Sequence, residues 1–120
     1  MIRLPLRIIT WNVSATRIRR FILCMMLDTK NQLLGEKEIT RGTVNATMIS
    51  PRELFLAALQ FRAVHILLVH NHPSGIPEPS GDDITVTRQI RRAGEMLGIT
   101  LLDHIIIGDH CYTSMLEQGI

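Results

Sequence analysis

Apolar positions fall into two kinds of pattern along this chain, unbroken short runs and stripes at helical spacing. "FILCMML" at 21–27 is a run of the kind a buried strand needs, "DTKN" follows with turn chemistry, and "QLLGEKEI" at 32–39 fits a second strand, so the pair predicts a hairpin. Gly42 marks a break at the sheet edge before a further segment, "TVNATMI". Upstream, residues 1–19 mix Pro5, Trp11 and scattered arginines around "LRIITW" and predict either an extra strand or a flexible lead.

Ser50, Pro51 and Glu53 form a helix start, with serine as N-cap, proline at the first helical position and glutamate placed to close a capping box. Leu54, Ala57, Ala58 and Phe61 recur at helical spacing, so this helix should run to about Arg62. "AVHILLVH" at 63–70 is the continuous aliphatic run of a central strand covered on both faces. Val86, Ile90, Ala93 and Leu97 then mark one face of a second helix, and Gly98 stands where a helix end favours a left-handed residue. "ITLLDHIIIG" predicts another strand, "DH" a turn and "CYTSML" a last short strand. Strands mixed with two helices and a hairpin give an α/β or α+β sandwich, a mixed sheet flanked by helices.

Composition narrows the class. A chain of 120 residues that is 46% hydrophobic can bury a single ordinary core without disulfides. Thirteen basic against eleven acidic residues leave +2, too little for the basic footprint that phosphate-backbone binding usually requires, so nucleic acid is unsupported as a partner. The two cysteines, Cys24 and Cys111, lack zinc-finger spacing and read as buried free thiols of a cytoplasmic protein. "RRFILCMML" resembles a twin-arginine export signal, but its apolar run is short, Asp28 ends it and no small-residue cleavage site follows. No stretch approaches the roughly 20 apolar residues of a membrane span. Exposed strand edges in so small a mixed sheet make self-association into a homo-oligomer an expectation.

The candidate chemistry lies in "HNHPSGIPEPSGDD", residues 70–83. Alternate side chains of a strand share a face about 6–7 Å apart at the backbone, so His70 and His72 can converge on one ion. Pro73 pushes His72 towards extended geometry. The loop from Gly75 to Pro79 is long enough to bring the start of the second helix back to the histidines. Ser80 and Asp83 have capping-box spacing, which accounts for them without any ion. Capping leaves the two histidines at a buried strand end unexplained, since imidazoles there need polar partners or a metal. Two histidines and one carboxylate around zinc, with a fourth position for water, is the ligand count of a catalytic site.

His70-x-His72, seven residues, Ser80, two residues and Asp83 resemble the JAMM (MPN-plus) zinc metallopeptidase motif. "VHNHPSG", "PSGDD", "AGEMLGITLLDHIIIGD" and "YTSMLEQG" are similar, more narrowly, to its RadC-like bacterial branch, long described as DNA repair proteins. The likeness covers Arg20 to Ile120 and fades over residues 1–19, and the helix-hairpin-helix region that often precedes such a domain is not seen in this sequence. The resemblance implies a cytidine-deaminase-like three-layer sandwich and a zinc-dependent hydrolase of amide bonds in a peptide or protein substrate. It implies Zn2+ held by His70, His72 and Asp83, and Ser80 as hydrogen-bond donor to the oxyanion. It also implies a glutamate on an early strand as base for the water. Glu36 and Glu38 lie two apart on one strand and share a face, so periodicity cannot choose between them. The family places its glutamate before an aliphatic residue and then a Gly-Thr pair, as in "EITRGT", which favours Glu38.

Three other histidines are set aside. His65 is out of step with His70 along the strand and should point away, His110 falls in a turn, and His104 reads as packing or as support behind the metal ligands. Arg88, Arg91 and Arg92 form a basic helix edge, read as a solvated face rather than a nucleic-acid patch. The letters "HNH" are consecutive here, whereas HNH endonucleases disperse those residues, so they lend a nuclease little support. The alternative, a DNA-repair-associated DNA-binding protein or nuclease, comes from the repair description of the RadC-like branch, with a non-catalytic interaction module behind it.

Overall fold

A computed structural model describes residues 21–41, 49–72 and 76–120. The expectations for residues 1–19, for the break at Gly42, for most of "TVNATMI" and for the conformational effect of Pro73 fall outside these residues. The described elements are β1 (Phe21–Leu27), β2 (Leu33–Arg41), α1 (Pro51–Gln60), β3 (His65–Asn71), α2 (Gly81–Leu97), β4 (Thr100–Ile107) and β5 (Tyr112–Ser114). The five strands form one mixed sheet in the order β2-β1-β3-β4-β5, parallel only between β3 and β4, so the fold is α/β as expected.

The hairpin β1–β2 turns at Asp28, whose carboxylate accepts the backbone N–H groups of Lys30 and Gln32, while Asn31 takes a positive φ of 62°. β3 lies at the centre, between β1 and β4, and every residue from Ile66 to Asn71 is buried. Alternation along β1 and β3 divides the sheet into two faces. Ile22, Cys24, Met26, Ile66 and Leu68 pack with Leu54, Phe55, Ala57 and Ala58 of α1 and with Val86 and Ile90 of α2. Both described helices therefore lie against one face. The other buries Phe21, Leu23, Met25, Leu27, Leu67, Val69, Ile105 and Ile107, with no residue of a described helix in that cluster.

Local details depart from the periodic reading where tertiary packing intervenes. α1 stops at Gln60, with Phe61 as C-cap, because Arg62 adopts a left-handed φ of 56° and Ala63 N–H turns back to the carbonyl of Ala58. Phe61 covers Gly35 on β2, where any Cβ would overlap the ring, and keeps an exposed edge instead of entering the core, where Phe55 is buried. Leu97, expected on the core face of α2, is half exposed, and Gly94 is buried on that helix instead. Gly98 caps the helix at φ 75°, as expected, and Ile99 N–H bonds the carbonyl of Gly94 at 2.8 Å. Cys24 is buried as expected, but Cys111 is exposed because it sits in the turn ahead of β5.

Gly94 carries a first expected outcome. A Cβ there would overlap the Ile99 carbonyl oxygen, a backbone atom fixed by that capping bond. Gly94→Ala should therefore lower stability by about 1–3 kcal/mol despite alanine's better helix propensity. Urea unfolding reads the change, and a variant as stable as the parent would contradict the close approach.

Candidate metal centre

β3 delivers His70 on the helix-bearing face, in register with Ile22 of β1. The extended ladder continues one residue past the strand, since His72 N–H donates to the Ile107 carbonyl at 2.9 Å. That bond keeps His72 in step with His70, and their ring centroids are 4.9 Å apart. From the opposite side, the capping box at the start of α2 aims Asp83 at both rings. Ser80 Oγ accepts the Asp83 N–H at 3.1 Å while Asp83 Oδ2 accepts the Ser80 N–H at 2.8 Å. The capping and ligand readings of Asp83 are therefore compatible, because one oxygen caps and the other remains. Oδ2 also lies 3.0 Å from His72 Nε2, and Oδ1 lies 3.3 Å from His70 Nε2.

One potential ligand atom from each of His70, His72 and Asp83 lies within 4.8 Å of the others. His70 and Asp83 are closed to solvent and His72 is 12% exposed, so the cluster sits at the end of the core with one side reaching the surface. Burial pushes the Asp83 carboxyl up, but the hydrogen bond from His72, the neighbouring His70 and the bonds from Ser80 outweigh it and hold the group well below the usual carboxylate range. An ionised carboxylate and two imidazoles form the donor set of a divalent-cation site.

The fit can be tested on atoms of the site itself. Asp83 Oδ1 is buried and makes no hydrogen bond among the described residues, a position in which a carboxylate oxygen needs a cation or a donor. His72 Nδ1 faces the Ile76 carbonyl at 2.9 Å, so it carries a proton and donates, and a metal could take the place of any proton on Nε2. His104 lies behind His70, its Nε2 2.7 Å from His70 Nδ1, and is wholly buried.

Of the residues singled out in the sequence, the structure thus gathers His70, His72, Asp83 and Ser80. It does not bring Glu38 among the ligand atoms. The register pairs Glu36 with Met25 and Glu38 with Leu23, so the two do share a face, but it is the face of the second cluster, away from His70. A β-bulge follows at once, between the pairs Leu23–Glu38 and Ile22–Thr40. His65 points away as expected and bonds Asn31 at 2.7 Å, and His110 lies exposed in its turn beside Asp109. Arg91 is no free basic edge, since it donates to the Ile120 carbonyl at 2.6 Å.

Of two further residues near the site, Thr87 escaped the sequence reading, whereas His104, read as packing or as support behind the ligands, lies against His70. Thr87 is one helical turn past Asp83, a spacing that placed it on the same face in advance. The choice between those two roles of His104 was hidden by a bulge in β4: the register runs Ile66–Leu101 and then Leu67–Asp103, so Leu102 is extra and strict alternation fails across it.

The profile of the RadC-like JAB domain matches residues 9–120, beginning within the stretch expected to be an extra strand or a flexible lead. A UPF0758 protein of Desulforamulus reducens is 48% identical over 102 residues, covering 85% of this chain and 45% of the relative. UPF0758 proteins of Pelobacter propionicus and Methanosarcina mazei are 44% and 47% identical over 85% and 81% of this chain, and 44% and 42% of their own lengths. The chain thus spans less than half the length of these curated relatives. Nearly its whole length matches that profile, and the chain belongs to the RadC-like JAB domain family.

Proposed function

We propose that this domain is a zinc-dependent hydrolase that cleaves an amide bond in a peptide or protein substrate. The observation that carries the reading is the convergence of His70, His72 and Asp83, with Asp83 Oδ1 buried and without a hydrogen bond among the described residues. His70, His72 and Asp83 would hold the ion, and two nitrogens with one oxygen suit zinc better than the all-oxygen shells of calcium or magnesium. When bound, zinc supplies a Lewis acid and lowers the pKa of water towards neutrality.

The remaining steps belong to side chains. Ser80 Oγ accepts the Asp83 N–H, which leaves its own hydroxyl proton to be donated towards an oxyanion. Asp83 is kept ionised, so it draws no proton from the reaction at neutral pH. Glu38, carried over by motif position, takes the proton of the attacking water on its carboxylate and returns it to the leaving amine. Support for Glu38 is the "EITRGT" signature, against the register that faces it towards Leu23.

The two glutamates make the discriminating experiment. Glu38→Gln should reduce amide cleavage by at least about 100-fold with the zinc content unchanged, whereas Glu36→Gln should leave both as they were. Equal activity in the two variants would remove Glu38 from the mechanism. Zinc-free protein that binds DNA in a salt-sensitive manner would favour the repair-related alternative instead.

A further inference from the structure

Behind the candidate ligands runs a buried chain of polar side chains whose protons can be placed by counting donors. Thr87 Oγ1 lies 2.6 Å from the Asp83 carbonyl and 2.6 Å from His104 Nδ1, and His104 Nε2 lies 2.7 Å from His70 Nδ1. A carbonyl only accepts, and two oxygens this close repel unless a proton lies between them, so the Thr87 hydroxyl donates to Asp83. Met115 Sδ, 3.4 Å from the hydroxyl, is a weaker acceptor and does not change the count. The hydroxyl oxygen then accepts from His104, whose proton must be on Nδ1. His104 Nε2 is left as an acceptor, so His70 donates from Nδ1. A neutral imidazole carries one proton, and His70 Nε2 therefore presents a lone pair on the side where it meets Asp83 Oδ1 at 3.3 Å.

We propose that Thr87 and His104 are positioning residues that place the His70 proton on Nδ1 and keep Nε2 ready for a divalent cation. The proposal rests on the metal-centre reading of His70, His72 and Asp83. Thr87 joins two of those ligands, through its donated bond to the Asp83 backbone and through His104 to the His70 ring. All three residues of the chain are buried, Thr87 at 1% exposure and His70 and His104 at none, so water does not compete for these bonds. No atom of Thr87 or His104 belongs to the candidate ligand group.

The chain makes a consequence at a distance. In Thr87→Val the His104 Nδ1–H loses its acceptor, and a buried donor without one is strongly disfavoured. His104 escapes that cost by moving its proton to Nε2, which obliges His70 to accept on Nδ1 and carry its own proton on Nε2, aimed at Asp83. A cation must then reverse both tautomers to bind.

The test uses the whole chain and zinc alone as probe. Ring 15N shifts of the metal-free protein should show His70 protonated on Nδ1, and in Thr87→Val on Nε2. Zinc affinity by chelator competition should fall about 10–100-fold in Thr87→Val and in His104→Phe, and stay within about threefold in Thr87→Ser. His70 protonated on Nε2 in the unsubstituted protein overturns the proposal whether or not any variant folds. Unchanged tautomer and affinity in folded Thr87→Val also overturns it, while stoichiometric zinc in the parent leaves the metal centre standing. A parent that binds no zinc sinks the metal centre itself, and the purpose of the relay with it.

Discussion

Asp83→Ala is expected to abolish stoichiometric zinc binding, weakening affinity by more than the 10–100-fold typical of a residue that only supports a ligand. The side chain is the single carboxylate of the cluster, it is buried, and it is held ionised at neutral pH, so its loss removes both a donor atom and the charge that offsets the cation. It also closes the N-terminal turn of α2, and the substitution should destabilise the fold through that second role. Ser80→Ala separates the two. Loss of the cap alone should cost about 1 kcal/mol and leave one zinc per chain, because Ser80 is not in the ligand group. Metal analysis of the purified variants with urea unfolding of each reads both effects. Full zinc occupancy in Asp83→Ala would reduce its carboxylate to a helix cap.

The stability of the metal-free protein should fall by about 3 kcal/mol as the pH is lowered from about 6.5 to about 4, through His104. Burial, outweighing the nearby charges of Asp83 and Asp103, depresses this imidazole from 6.5 to about 4. Between those values the unfolded chain takes up a proton at this position and the folded chain does not. Protonation therefore favours unfolding: the contribution is complete above pH 6.5, declines as the pH falls, and is exhausted near pH 4. The Asp83 contribution has the opposite origin and a separate window. Its folded carboxyl is held below the unfolded value of 3.8, so its stabilisation is present above that pH and drains away only as acid drives it through the lower folded value. Urea titrations at pH 7.5 and 4.5 on the parent and on His104→Phe isolate the histidine. The variant should be less stable throughout but lose less between the two pH values, and an identical loss would contradict the assignment.

These two residues also show how much of the site was legible in advance. Asp83 was visible because its partners are local: the capping box joins Ser80 to a residue three positions on, and the histidines lie at the end of a strand and one residue past it, with alternation uninterrupted up to the site. His104 stood in a recognisable strand, but the face it occupies depends on the extra residue Leu102, and nothing in strand periodicity announces where a bulge falls. Glu38 poses the same difficulty. The shared face of Glu36 and Glu38 followed from their spacing, whereas the choice of that face followed from the pairing with Met25 and Leu23.

By itself the amino-acid order determined the elements, their sequence along the chain, the helix caps at Ser50, Ser80 and Gly98, and the spacing that allows His70, His72 and Asp83 to meet. Those features arise from contacts between near neighbours, whose geometry follows from residue type and spacing. Only the tertiary structure decided that both described helices lie on one face, that Leu97 stays outside while Gly94 goes in, and that Thr87 and His104 stand behind the site. Each of those outcomes depends on strand register and on backbone approach between segments far apart in the chain, and a shift of a single residue in register would reverse the face that a side chain occupies.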